Sequence, residues 1–246
     1  MKKIIFSLFI VLSITLLTAY SFTRNTNQMN KSSQEKLKIE IWSDVVCPFC
    51  YIGKKKLEKA IAKLGIEDKV EIIWHSFQLD PDFPMGEAHP SMEYLAEHKR
   101  IPMGQLQQMT QQLTAQAKPY GIDFHFDKAL TFNTINAHSL WQWTKEFGKT
   151  QAYKDAVMKA YFTDGINLAE ENNLLDIITK IGLDKELASK ALKSDQYSKA
   201  VYADIKRAEE LGIRGVPYFL IDGKASISGA QDDKIFEQVL TTALAE

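Results

Sequence analysis

In residues 37–42, LKIEIW, Leu37, Ile39 and Ile41 alternate with Lys38, Glu40 and Trp42. That is the two-residue period of a strand. From Ile52 the period changes. Ile52, Leu57, Ala60, Ile61 and Leu64 recur at helical spacing, and Gly65 can close the helix. Residues 70–74, VEIIW, are a second, β-branched strand. The stretch 37–74 therefore reads β-α-β, and such a crossover joins parallel strands.

Residues 81–89 read as loop, and a long run of helical patterning follows. Met103, Leu106, Met109 and Leu113 form one stripe, ended by Pro119 and Gly121. Ile135, Leu140, Trp141, Thr144 and Phe147 form another, stopped by Gly148. Tyr153, Val157, Ala160 and Tyr161 precede Gly165. Short helices near 171–181 and 184–193 lead to a longer one carrying Val201, Ile205, Ala208 and Leu211, ended at Gly212. The chain then returns to strands at 217–222 and 225–228, joined by the hairpin signal Asp222-Gly223. Ile235, Phe236, Val239, Leu240 and Ala243 make a final amphipathic helix. The expected fold is α/β: a thioredoxin-type layout, β-α-β then β-β-α, interrupted by a large all-helical insertion. Its first half is 37–80, the insertion 81–194 and its second half 195–246.

The N-terminus departs from this patterning. Lys2 and Lys3 precede an almost wholly apolar stretch at 4–17, and Ala19-Tyr20-Ser21 has the small-x-small form of a cleavage site. Residues 1–21 read as an export signal or an uncleaved N-terminal anchor, and polar residues 22–36 as a flexible tether. The expected location is exported, periplasmic or cell-envelope, with a possible membrane tether through the N-terminus. The rest of the composition, 45% hydrophobic and 25% charged, is that of an ordinary globular chain. A net charge of −1 gives no reason to expect nucleic acid as a partner.

The only two cysteines, Cys47 and Cys50, fall between the first strand and the first helix, in SDVVCPFCYIG. A structural zinc site needs four ligands. The five histidines, His75, His89, His98, His125 and His138, include no ligand-spaced pair. A disulfide closing so short a loop removes little unfolded-state entropy, so a purely structural staple is a weak reading. Redox chemistry fits best, because the pair sits at a strand–helix junction in a chain expected in an oxidising compartment. At a helix N-terminus, free N–H groups and the macrodipole favour a Cys47 thiolate by about 1–2 kcal/mol, and Pro48 suits the first turn. Asp44 would oppose that effect if close. Lys54 reads as a solvated helix-face residue. On this reading an exposed Cys47 attacks, and a more buried Cys50 resolves the mixed disulfide. Pro217 has two readings: a proline at a strand start, or a cis Val216–Pro217 bond facing the cysteines, where Val216 could pair with substrate backbone.

SDVVCPFCYIG, together with FQLDP (77–81), NTINAH (133–138), YFTDGIN (161–167) and GIRGVPYFLIDG (212–223), resembles the DsbA-like thioredoxin family. Within it the chain is most similar to FrnE-type oxidoreductases, relatives of the 2-hydroxychromene-2-carboxylate isomerases. The resemblance covers about residues 37–244. It implies a thioredoxin fold with an inserted helical domain, Cys47 and Cys50 as the redox pair, and Pro217 as the cis-proline. Pro48, Phe49 and Val216 would meet the substrate, and Asn133 and His138 are further candidates. For the last two, a helix-capping asparagine and a half-buried histidine are the plainer readings. Trp42, Trp141 and Trp143 could line a groove but read first as core, and His75 as a strand residue. The family usually carries CPWC or CPHC, and Phe49 departs from both. A phenylalanine cannot donate to a thiolate, so a less oxidising couple than one with CPHC is expected. No cofactor beyond the redox-active disulfide and no metal are expected. The partners would be protein thiols or disulfides and an unidentified recycling partner. The isomerase relatives use glutathione and a serine at the Cys47 position. A glutathione-linked isomerase or transferase is therefore the alternative, followed by a non-catalytic peptide-binding or chaperone module.

Overall fold

The computed structural model describes residues 36–245. The expected export segment, and all of the tether except Lys36, lie outside the described residues. Strand β1 (Leu37–Ser43) runs into helix α1 (Pro48–Leu64), which ends at Gly65 in the left-handed conformation, φ 63°. Strand β2 (Val70–Ser76) then lies parallel to β1, in register from Leu37 opposite Val70 to Ser43 opposite Ser76. Strands β5 (Tyr218–Ile221) and β6 (Ala225–Ser228) complete a sheet of order β2-β1-β5-β6, both antiparallel to their neighbours. Their turn places Asp222 at φ 50° and Gly223 at φ 69°, the two left-handed residues of a tight primed hairpin.

Between β2 and β5 the chain forms helices α2 (Ser91–Lys99), α3 (Met103–Ala117), α4 (Ile135–Thr144), α5 (Thr150–Phe162), α6 (Glu171–Lys180), α7 (Lys185–Leu192) and α8 (Asp195–Glu210). This inserted part is not wholly helical. Strands β3 (Ala88–Pro90) and β4 (Leu130–Phe132) pair as a separate two-stranded sheet. Each has only three residues, and one carries a proline, so neither leaves a readable period. The chain ends in α9 (Asp233–Leu244), which packs on α1.

Alternation along the strands sends side chains to opposite faces. Ile39, Ile41, Phe219 and Ile221 join the main core with α1 and α9. Trp42 turns the other way and packs with Ala208 of α8, Ile213 and the half-buried Tyr218 and Leu220. Trp42, Trp141 and Trp143 are all core residues, 0%, 0% and 4% exposed. Met109, placed on an apolar stripe by its spacing, is exposed.

A polar network fixes α8 to the sheet. One Asp204 carboxylate oxygen lies 2.7 Å from His75 Nδ1, and the other accepts from Ser76 N and Gln142 Nε2. His75 Nε2 lies 3.0 Å from Glu40, and its ring stacks on Trp42 at 4.5 Å between centroids. Burial alone would raise the Asp204 pKa. The His75 hydrogen bond and the Lys145 charge outweigh it and hold the carboxyl below its ordinary value. A depressed folded-state pKa adds stability that is present above the unfolded value and lost as pH falls through the folded one. Asp204→Ala should therefore cost about 3 kcal/mol at neutral pH. It should also flatten the loss of stability below about pH 4, read by urea unfolding across pH. An unchanged acid limb would assign that titration elsewhere.

Candidate active site

The β1 register delivers the chain at Ser43 and Asp44, and α1 starts four residues later. Cys47 is the N-cap of α1, with extended backbone (φ −90°, ψ 112°) and Pro48 in the first turn. Its carbonyl accepts from the N–H groups of Cys50 and Tyr51, and its N–H donates to the Asp44 carbonyl. The Cys47 thiol donates to the Val216 carbonyl at 3.5 Å. The Val216–Pro217 peptide bond is cis. Six residues after Cys47, Gly53 passes close to this segment. A Cβ there would stand 3.1 Å from Pro217 Cγ and 3.1 Å from Phe219 Cζ.

Both thiols are buried, Cys47 at 3% and Cys50 at 1% exposure. The expected contrast between an exposed and a buried sulfur is therefore absent. Their surroundings do differ. Cys47 is bordered by half-buried Pro48 and Val216 and by exposed Phe49 and Gly215. Cys50 faces the interior, where the Ser43 hydroxyl hydrogen-bonds it and the Lys154 ammonium acts on it. Ser43 is 1% exposed and Lys154 0%.

The two sulfurs share a hydrogen bond and titrate together. That bond, followed by burial and the Cys50 charge, holds Cys47 well above the ordinary thiol value, and Asp44 adds to the effect. Burial also raises Cys50. The Cys47 thiol, the Lys154 charge and the Ser43 hydroxyl outweigh it and bring Cys50 below the ordinary value. The sequence reading expects a lowered Cys47; burial and the hydrogen bond to Cys50 act against that here. The cation and the hydroxyl that would stabilise a thiolate both stand on the Cys50 side of the pair.

Asp44 is buried and lies 3.0 Å from His138 Nε2 through Oδ1, while its Oδ2 accepts from Leu79 N. His138 is fully buried and stacks on Trp141. It sits behind Asp44, neither half-buried nor in reach of a substrate. Asn133 is half-buried. Its Oδ1 accepts from Ile135 N at the start of α4, and its Nδ2 donates to the Pro81 and Phe83 carbonyls. Lys54 is not solvated: it is 1% exposed and paired with Glu58 and Asp155. Among the described residues no cluster of His, Cys, Asp or Glu could hold a metal.

Sequence reasoning missed Ser43 and Lys154. Lys154 Nζ donates to Ser43 Oγ at 2.6 Å and lies 3.9 and 4.0 Å from the Trp74 and Trp141 ring centroids. Burial pushes its pKa down to about 7, against the opposing charge of Cys50. The available signal was helical phase: Lys154 stands four residues before Met158 and seven before Tyr161, on the buried side of α5.

Two thiols thus stand at the start of a helix, against the segment leading into β5 of a thioredoxin-type sheet. The family model of the DSBA-like thioredoxin domain matches residues 38–241, and the chain belongs to that family. A solved structure described as a "probable DsbA oxidoreductase" from Streptomyces coelicolor is 33% identical, with a TM-score of 0.82, over 85% of this chain and 91% of that one. An uncharacterized protein of Bacillus subtilis, YwbO, is 29% identical over 210 residues, 82% of this chain and 95% of its own length. A 2-hydroxychromene-2-carboxylate isomerase shares the fold at 19% identity and a TM-score of 0.63, covering 85% of this chain and 94% of its own.

The close approach at Gly53 gives a stability test. Gly53→Val forces atoms into the Pro217–Phe219 contact and should destabilise the fold by about 1–3 kcal/mol. The measurement is the urea midpoint, and a variant as stable as the parent would show that β5 yields without cost.

Proposed function

We propose that the protein is exported and exchanges disulfides with other proteins through the Cys47–Cys50 pair, Cys47 attacking and Cys50 resolving. The observation that supports this order is the unequal surroundings of the two sulfurs. An incoming chain can approach past Phe49 and Gly215 to Cys47, whereas Cys50 is walled in by Ser43 and Lys154. Cys47 first loses its proton while Cys50 remains a thiol. The Cys47 thiolate then attacks a substrate disulfide, and the substrate's other sulfur leaves as a thiolate. Cys50 next displaces the first sulfur, leaving the Cys47–Cys50 disulfide and a reduced substrate. The reverse sequence oxidises a substrate dithiol.

In this reading Pro48, Phe49, Val216 and Pro217 border the incoming chain. The Val216 carbonyl, which accepts the Cys47 thiol here, is free to take a substrate N–H once that thiol is consumed. Asn133 and His138 support the site from behind, through the 81–83 loop and through Asp44. The disulfide is the only redox group required, and a separate thiol or disulfide partner recycles it. Export rests on Lys2, Lys3 and the apolar stretch at 4–17.

Cys47→Ala should abolish insulin reduction and the refolding of reduced ribonuclease. Cys50→Ser should accumulate mixed disulfides with substrate proteins, visible on non-reducing gels and released by dithiothreitol. A Cys50→Ser variant that forms no adduct would falsify the assigned order.

The Phe49 side chain is 43% exposed and offers no donor to either sulfur. The couple should lie below about −120 mV, the value for DsbA, and Phe49→His should raise it. Equilibration with glutathione buffers measures both, and a parent potential at or above that value contradicts the effect assigned to Phe49.

A further inference from the structure

The buried group that the exchange steps above leave unused is Lys154. It reaches the redox pair only through Ser43, the last residue of β1. Lys154 Nζ donates to Ser43 Oγ at 2.6 Å, and both the Ser43 hydroxyl and the Lys154 charge act on Cys50. All three residues are 1% exposed or less, so bulk water does not compete there. Two indole rings, those of Trp74 and Trp141, lie against the amine.

We propose that Ser43 and Lys154 form a proton relay for the resolving cysteine. Resting on the assignment of Cys50 as resolver, the relay takes the Cys50 proton when Cys50 attacks the mixed disulfide and returns it in the reverse step.

The protons balance without any added group. With Cys50 as a thiol and Lys154 as a neutral amine, the Cys50 S–H donates to Ser43 Oγ and the Ser43 O–H donates to Lys154 Nζ. Moving each proton across its own hydrogen bond gives a Cys50 thiolate, an intact Ser43 hydroxyl and a Lys154 ammonium. The thiolate attacks Cys47 Sγ, the S–S bond to the substrate breaks, and the substrate sulfur leaves with the electron pair and takes a proton from solvent. In the opposite direction the ammonium supplies the proton to Cys50 as it departs. The buried ammonium can persist while Cys50 is an anion, but it loses that support once the disulfide forms, so its proton is released.

The charged and titratable groups around the amine set its balance. Cys50, Cys47 and Asp44 favour the ammonium, while burial and Lys54 of α1 oppose it. Lys54 is itself held by Glu58 and Asp155, and Asp44 by His138. With burial pushing the amine down to about 7, both of its states are available at neutral pH, which a proton carrier requires.

Stopped-flow reaction of the reduced protein with dithio-bis-nitrobenzoate separates the two steps. Attack by Cys47 releases one coloured thiolate, and attack by Cys50 on the resulting mixed disulfide releases the second. Lys154→Met is nearly isosteric against the indoles, and Ser43→Ala breaks the relay while keeping the lysine. In each, the second phase should slow relative to the first by about 100-fold or more at pH 7. The parent and variants should converge at alkaline pH, where Cys50 ionises unaided. A second phase in Ser43→Ala with the parent's rate and pH profile overturns the relay, whether or not Lys154→Met folds. Equal slowing of both phases, with no recovery at alkaline pH, also overturns it, since that marks damage to the whole pair. If the parent shows no second release, or Cys50→Ser retains it, the assignment of Cys50 fails and takes the relay with it.

Discussion

The chemistry of this protein depends on the close approach of the first two turns of α1 to the start of β5. The absence of a side chain at Gly53 lets the helix lie against Pro217 and Phe219. That contact fixes where Cys47 sits, with its thiol on the Val216 carbonyl. The parallel pairing of β1 and β2 fixes the other side of the site, delivering Ser43 and Asp44 to the base of the same helix. A shift in either contact would move a sulfur away from its partners. Packing at a helix and a strand end therefore controls the reactivity of a few polar atoms.

The inserted helices complete that environment. Lys154 and His138 come from the insertion, yet their polar atoms lie on Ser43 and Asp44 of the thioredoxin core. Gln142, on the same helix as His138, binds Ser76 and Asp204 and joins the network on the other face of the sheet. Buried charges are costly unless they are partnered. Here the partners come from both parts of the chain, so the parts stabilise one another. The same burial that makes Lys154 costly to hold as an ammonium couples its charge to that of Cys50.

The sequence carried the periodic features well. Alternation found β1, a β-branched run found β2, helical stripes found most of the helices, and Gly65, Gly148 and Gly212 marked their ends. The Asp222-Gly223 turn was readable because two adjacent left-handed residues leave few alternatives. The three-residue strands β3 and β4 were invisible, being too short for a period and supported by tertiary pairing alone. At the site, the spacing of Cys47 and Cys50 placed both thiols at the start of one helix. The electrostatic surroundings of the two sulfurs also depend on Lys154, more than a hundred residues away in sequence. A helix dipole argued for a Cys47 thiolate, but it could not weigh Lys154 and Ser43, which favour Cys50. His138 was discounted as half-buried because nothing in NTINAH shows that its partner is Asp44.

The central claim is that Cys47 and Cys50 form one reversible two-electron couple. The direct test is a redox titration of the full chain in graded glutathione buffers, acid-quenched, alkylated and counted by intact mass. The account predicts only doubly alkylated and unalkylated protein at equilibrium, their ratio following a two-electron curve. Two alkylated thiols at every potential, or singly labelled protein with glutathione attached as the main oxidised form, would contradict it.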